Sequence, residues 1–248
     1  FTNRIDDAFA AARRLAAHVA RIQANGTPSA AEYRHALRQV IGRCVYGVDM
    51  NPMAVELCKV SLWMEAVEPG LPLTFLNSHI QHGNALLGTT PELMARGVPD
   101  SAWEPIEGDD RKTASGLKKR NRKAAEGQRS LDTLWAKQGD AEAQAVARAV
   151  TALEAASDAS PDALAKKESQ WDEILDSTEY RHQKVVADAW CAAFAWPKQA
   201  GSLAEAAPTN ALWRQLRDRE GQPPTSTADT VAELGERYHL FHWSLAFP

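Results

Sequence analysis

No stretch of the 248 residues approaches the roughly 18 consecutive apolar residues that cross a bilayer. The longest tight apolar cluster, around Ala189 to Trp196, is far shorter. The N-terminal residues lack a basic start followed by an apolar run, so no secretory leader is expected. Cysteine is scarce: Cys44, Cys58 and Cys191 form no CxxC pair and no even framework. That excludes a disulfide scaffold, and the three read as buried thiols in a reducing, cytoplasmic setting. Basic residues are not in excess either. Lys and Arg number 28 against 32 Asp and Glu, a net charge of −4, which excludes a globally basic nucleic-acid coat. No nucleophile elbow supports Ser/His/Asp hydrolysis. His79 and His82 would point to opposite faces of a strand, and no Cys or acid cluster completes a site around His239 and His242, so no metal site is expected.

What is present is ordinary for a globular protein, with 44% hydrophobic and 24% charged residues. Collagen-like, mucin-like and wholly disordered classes are excluded. The length suits one large domain, or one domain with a big insertion. The chain starts at Phe1 and ends at Pro248 directly after an aromatic cluster. Both ends look cut, and an internal piece of a longer protein is expected.

The spacing of apolar residues predicts a helix over Ala8 to Ile22, stopped by Asn25-Gly26. Ser29 and Glu32 form a capping box for a second helix through Ile41. The period then changes. Cys44-Val45-Tyr46-Gly47-Val48 is a nearly continuous apolar run, which predicts a strand buried on both faces. Asn51-Pro52 starts another helix, which runs to about Ala66 before Pro69, Gly70 and Pro72 break it. Leu73–Leu76 is compatible with a short strand, and His79–Leu87 reads as a strand leading into a loop. This order predicts an α/β fold.

From Thr89 to about Ala228 the character shifts to mainly helical. Helices are predicted over Ala141 to Ala156, from Ser160-Pro161 towards Phe194, around Leu212 to Leu216, and over Val231 to Tyr238. Residues 222–227 read as a linker. The basic run Arg111 to Lys123 holds seven basic residues and no acid, leaving a net charge of −11 elsewhere. The domain reading is an α/β subdomain over 1–88, a helical insertion over 89–228 carrying the basic loop 111–123, and a return to the α/β core over 229–248.

Two constellations could carry chemistry. Asp49 ends the first predicted strand, where the acid of a doubly wound sheet faces the ligand crevice and can accept from both hydroxyls of a ribose. It could equally be a cap of the following helix. Asn84, in Gly83-Asn84-Ala85-Leu86-Leu87-Gly88, could hydrogen-bond an adenine edge, or could simply be a turn asparagine beside a glycine.

Ile41 to Leu57 (IGRCVYGVDMNPMAVEL), Ser61-Leu62-Trp63, Gly83 to Gly88 (GNALLG) and Phe241 to Pro248 (FHWSLAFP) together resemble N6-adenine DNA methyltransferases. The similarity is to the large single-chain enzymes of restriction–modification and phage-defence systems. It implies a partial class I S-adenosylmethionine-dependent methyltransferase sheet, Rossmann-like, interrupted by the helical insertion. It implies S-adenosylmethionine as cofactor, with Asp49 on the ribose, Met50 against the adenine, and Asn84 and Ala85 at the adenine edge. It implies double-stranded DNA as partner, together with other defence-system or restriction subunits, and no membrane. The family's glycine-rich cofactor loop (DPAxGSG) and its catalytic NPPY or NPPW motif are not in these 248 residues. No catalytic residue is therefore assigned, and this chain alone is expected to be inactive.

Lys118, Lys119, Arg120, Arg122 and Lys123 would suit DNA phosphates, or would form a solvated loop. Two rival readings stand beside the methyltransferase. One is a nicotinamide-dinucleotide-binding α/β domain, which an acid at the end of the second strand also suits. The other is a non-catalytic module that docks DNA or a partner.

Overall fold

A computed structural model of the chain describes residues 2–126, 132–220 and 223–248. In chain order the elements are α1 (Thr2–Gln23), α2 (Ala30–Cys44), β1 (Gly47–Asp49), α3 (Pro52–Glu65), β2 (Ile80–His82), α4 (Pro91–Met94), a 3-10 turn (Asp100–Trp103), α5 (Arg111–Glu126), α6 (Asp132–Ala155), α7 (Pro161–Asp176), α8 (Thr178–Ala195), α9 (Ser202–Ala206), α10 (Asn210–Arg217), α11 (Thr225–Tyr238) and α12 (Trp243–Ala246). They form two compact units. The first comprises Phe1–Gly83 and Val150–Ile174, the second Asn84–Ala149 and Leu175–Pro248.

The chain is mainly helical. Among the described residues only β1 and β2 are strands, three residues each and parallel, with Gly47 opposite Ile80, Val48 opposite Gln81 and Asp49 opposite His82. This corrects the expected α/β fold: the Rossmann-like sheet of a class I S-adenosylmethionine-dependent methyltransferase is not what these residues form. The physical reasons are local. Cys44 is drawn into the last turn of α2, and Tyr46 is exposed, so the first strand starts only at Gly47 and is half-buried rather than buried on both faces. Leu73–Leu76 buries Phe75 and Leu76 without joining a ladder. Its backbone is served by side chains instead: Trp63 Nε1 donates to the Thr74 carbonyl at 2.7 Å, and the Phe75 N–H approaches Asp158 at 3.4 Å.

Local helix signals translate directly. Ser29 and Glu32 form the reciprocal capping box on α2, and Asn51 caps α3 with Pro52 at its first position. The core of the first unit stacks Ala12, Ala16 and Ala20 of α1 on Ala36, Leu37, Val40 and Ile41 of α2, with Val55 and Leu62 of α3 and Ile80 of β2 beneath. Alanines four apart bring the two helix backbones close together. Asp158 ties this core to the 150–174 segment. Its carboxylate accepts from the Thr74 hydroxyl at 2.7 Å and pairs with the buried Arg38 at 3.4 Å, while Arg38 also donates to the Pro72 carbonyl at 2.5 Å.

The second unit is built on tryptophan. Trp103, Trp190, Trp196 and Trp213 pack with Val98, Leu117, Val186, Val231 and Leu234. Three of the four satisfy their indole N–H inside the core, Trp190 on Gly97, Trp196 on Leu203 and Trp213 on Val186, all at 2.9–3.0 Å. Two buried asparagines fix the surrounding elements. Asn210 accepts from the Val98 N–H at 2.8 Å and donates back to the Val98 carbonyl at 2.9 Å, while Asn121 on α5 accepts from the Asn210 N–H at 2.9 Å. Gly97 has a positive φ of 75°, and a Cβ there would fall 2.4 Å from Asn210 Oδ1, so only glycine suits the approach.

Replacing Asn210 by Ala leaves the buried Val98 N–H without its partner and takes one of two amide donors from the Val98 carbonyl, while the backbone N–H of residue 210 still serves Asn121. A loss of about 1–3 kcal/mol is expected, read as a lowered urea midpoint for the transition followed by tryptophan fluorescence. A change below about 0.5 kcal/mol would remove this network from the account.

Candidate functional site

Asp49 lies at the carboxyl end of β1. Its backbone carbonyl accepts from the Gly83 N–H at 2.9 Å, and its Oδ1 accepts from the Asn51 N–H at 2.7 Å. Asn51 in turn accepts from Met53 N at 3.0 Å, so Asn51 caps α3 and Asp49 orients the cap. The carboxylate is thereby held in one orientation, with Oδ2 in no described hydrogen bond. Met50 follows with its side chain about half exposed, and its carbonyl receives His82 Nε2 at 2.9 Å. Both residues belong to the first unit.

Asn84 and Ala85 belong to the second unit. Asn84 forms a parallel bridge with Leu240, its N–H donating to the His239 carbonyl at 2.6 Å. Its Oδ1 accepts from the Leu86 N–H at 3.1 Å, which is the turn-asparagine arrangement. Ala85 is exposed, and its carbonyl accepts from Trp243 Nε1 at 3.0 Å. The Leu87 carbonyl accepts from Phe241 at 2.8 Å, and a Cβ on Gly88 would meet the Phe241 oxygen at 1.9 Å. The Gly83–Gly88 stretch is therefore a braced turn.

The basic run is helix α5, not a loop. Ala114, Leu117 and Asn121 face inward and set the opposite face outward. Lys118 pairs with Glu104 at 3.5 Å, and Arg122 makes a two-armed pair with Asp100 at 2.9 and 2.8 Å. Arg120 donates to the Ala204 carbonyl at 2.8 Å, and burial pushes its guanidinium down. Lys119 and Lys123 are exposed, one helical turn apart, and engage no described partner. Of the five candidate phosphate contacts, three thus have partners within the second unit and two have none described.

Two side-chain clusters carried no local sequence signal. In the first unit Tyr46 stacks on the buried His79, ring centroids 4.2 Å apart, and its hydroxyl donates to Glu154 at 3.0 Å. In the second, His242 accepts from the Thr89 N–H through Nδ1 at 3.2 Å and donates through Nε2 to Asp188 at 2.8 Å, while Lys184 reaches the other Asp188 oxygen at 2.5 Å. With both ring nitrogens engaged, His242 is a structural brace. Partners 108 and 54 residues apart are beyond the reach of short-range pattern. Among the described residues no group of three or more His, Cys, Asp or Glu could hold a metal ion, and no helix is long and apolar enough to cross a membrane.

No family model, curated protein or solved structure matches this chain.

The Tyr46 cluster produces a pH dependence on both sides of neutrality. Burial, then the Glu154 charge, pushes the Tyr46 phenol up to about 12, so its contribution is full below about pH 10 and is lost as pH rises through 12. Burial pushes the His79 imidazole down from 6.5. Its neutral ring fits the fold above that pH. As pH falls below about 6.5 the unfolded chain takes up a proton that the fold resists, and stability declines until the lowered folded value is passed. Tyr46→Phe is expected to flatten the alkaline limb of a stability–pH curve and to leave the acid limb in place. An unchanged alkaline limb would contradict the assignment.

Proposed function

We propose that this chain is part of an S-adenosylmethionine-dependent DNA methyltransferase acting on the N6 amino group of adenine, and that Asp49 takes the ribose of the methyl donor. The observation that supports it is a carboxylate at the carboxyl end of a parallel strand, oriented through Oδ1 by the Asn51 N–H and open at Oδ2. Both ribose hydroxyls are donors, and an ionised carboxylate is an acceptor only, so the pairing is chemically complementary. An acid at the carboxyl end of β1, at the start of a β1–α3–β2 crossover, supports the reading, because nucleotides are commonly received at the carboxyl ends of parallel strands. The half-exposed Met50 thioether supplies an apolar surface beside it. The residues present thus fit the ribose end of the cofactor. When bound, the cofactor would supply the methyl group. The role of this chain's residues is to hold the ribose.

Equilibrium dialysis with labelled S-adenosylmethionine tests the reading. The intact chain should retain ligand, and Asp49→Ala should weaken retention about tenfold to a hundredfold, as loss of charge-assisted hydrogen bonds requires. Equal retention by wild type and Asp49→Ala would overturn it, as would no retention by the wild type.

Double-stranded DNA is the proposed partner, met by Lys119 and Lys123 through phosphate contacts that add affinity without sequence choice. Fluorescence anisotropy with a duplex at several salt concentrations should show binding. The double change Lys119→Ala, Lys123→Ala should reduce the salt slope by about 2. An unaltered slope would exclude this face of α5.

A further inference from the structure

The outward face of α3 is apolar where a surface helix is normally polar. Met53, Leu57, Val60 and Met64 are 45% to 74% exposed, while Val55, Lys59 and Leu62 form the buried face. The exposed four follow a 4-3-4 spacing. That 3.5-residue period keeps them in one seam along the helix, the pattern of a helix that packs on another helix. The other exposed residues of α3 are Pro52, Glu56 and Ser61, so Glu56 is the only fully exposed charge on this helix, with Glu65 at its end partly exposed and paired with Arg13. An ordinary solvated helix carries its charges on this face.

We propose that this seam is a self-association surface, and that its occupant is α3 of a second copy of the chain, running antiparallel. The spacing is palindromic about the midpoint between Leu57 and Val60. A two-fold axis there sets Met53 of each copy opposite Met64 of the other, and Leu57 opposite Val60. Each layer then contains one residue from each alternate heptad position, and the unbranched methionines at both ends adapt to their neighbours. The interface is isologous and closes at two copies. Its area sets its strength. Four side chains of this size and exposure offer at most roughly 500 Å² per copy, about 1,000 Å² in total, below the roughly 1,200 Å² of a stable interface and in the range of weak, transient ones. The dimer is accordingly weak and concentration-dependent.

Sedimentation velocity on the whole chain from about 1 to 300 µM tests this, with Leu57→Lys and Met64→Lys as variants. Both sites are exposed, so the buried face of α3 is untouched, and far-UV circular dichroism checks that each variant is folded. The wild type should shift from monomer to dimer with rising concentration, and Leu57→Lys should raise the dissociation constant at least tenfold with helicity unchanged. Wild type that stays monomeric throughout would overturn the proposal. So would a dimer that both folded variants preserve, which would place the contact elsewhere, or open-ended growth beyond the dimer, which a closed two-fold interface forbids.

Discussion

The first unit depends on a three-residue parallel pairing. Gly47, Val48 and Asp49 meet Ile80, Gln81 and His82, and the pair is extended at its ends by Gly47 donating to His79 and Gly83 donating to Asp49. Parallel strands cannot be joined by a tight turn, so the chain must cross over, and α3 is that crossover. The pairing sets where α3 begins, and Asn51-Pro52 starts it there with Asp49 already bonded to the cap. One short ladder thereby fixes an acid in space. Two three-residue strands bury little apolar surface of their own. The rigidity comes from the helices and from Asp158, whose contacts with Thr74 and Arg38 draw a distant segment onto the same core.

The second unit is organised on the opposite principle. It has no ladder longer than the single Asn84–Leu240 bridge among the described residues. Large indoles fill the interior, and buried amides satisfy the backbone where helices cannot. Asn121 and Asn210 bind to Val98 and to each other, and Asn121 also donates to Asp100, so α5, α10 and the 3-10 turn share one network. The same packing explains the charge distribution. Arg120 and Arg122 lie on a helix whose inner face is committed to the core, and nearby acids and carbonyls take up their donors. A dense basic sequence therefore presents less free charge than its composition suggests.

Features that depend on neighbours in sequence were legible. The capping box at Ser29 and Glu32, Pro52 at a helix start, and the breaks after Ala66 are local steric and hydrogen-bonding facts. The extent of the strands was not. A run such as Cys44 to Val48 is equally compatible with a buried strand or with the end of a helix and an extended connection, because periodicity is silent over five apolar residues. Leu73–Leu76 was ambiguous for the same reason, and Trp63 and Asp158 decide it from far along the chain. At the candidate site, Asp49 and Asn84 could be singled out by position, but not the bonds that occupy them. Asn84 takes the turn arrangement, and Asp49 spends one oxygen on its own loop. The α3 seam was written in the sequence as a 4-3-4 spacing, yet only the structure shows which face is left open.

The central claim is that a carboxylate fixed at the end of β1 receives a ribose. Saturation-transfer difference NMR with S-adenosylhomocysteine reads the bound parts of the ligand directly. The account predicts that the ribose H2′ and H3′ protons receive the strongest transfer from the wild-type chain, and that this transfer collapses in Asp49→Asn. Transfer confined to other parts of the ligand, or transfer to the ribose that survives the substitution, would contradict it.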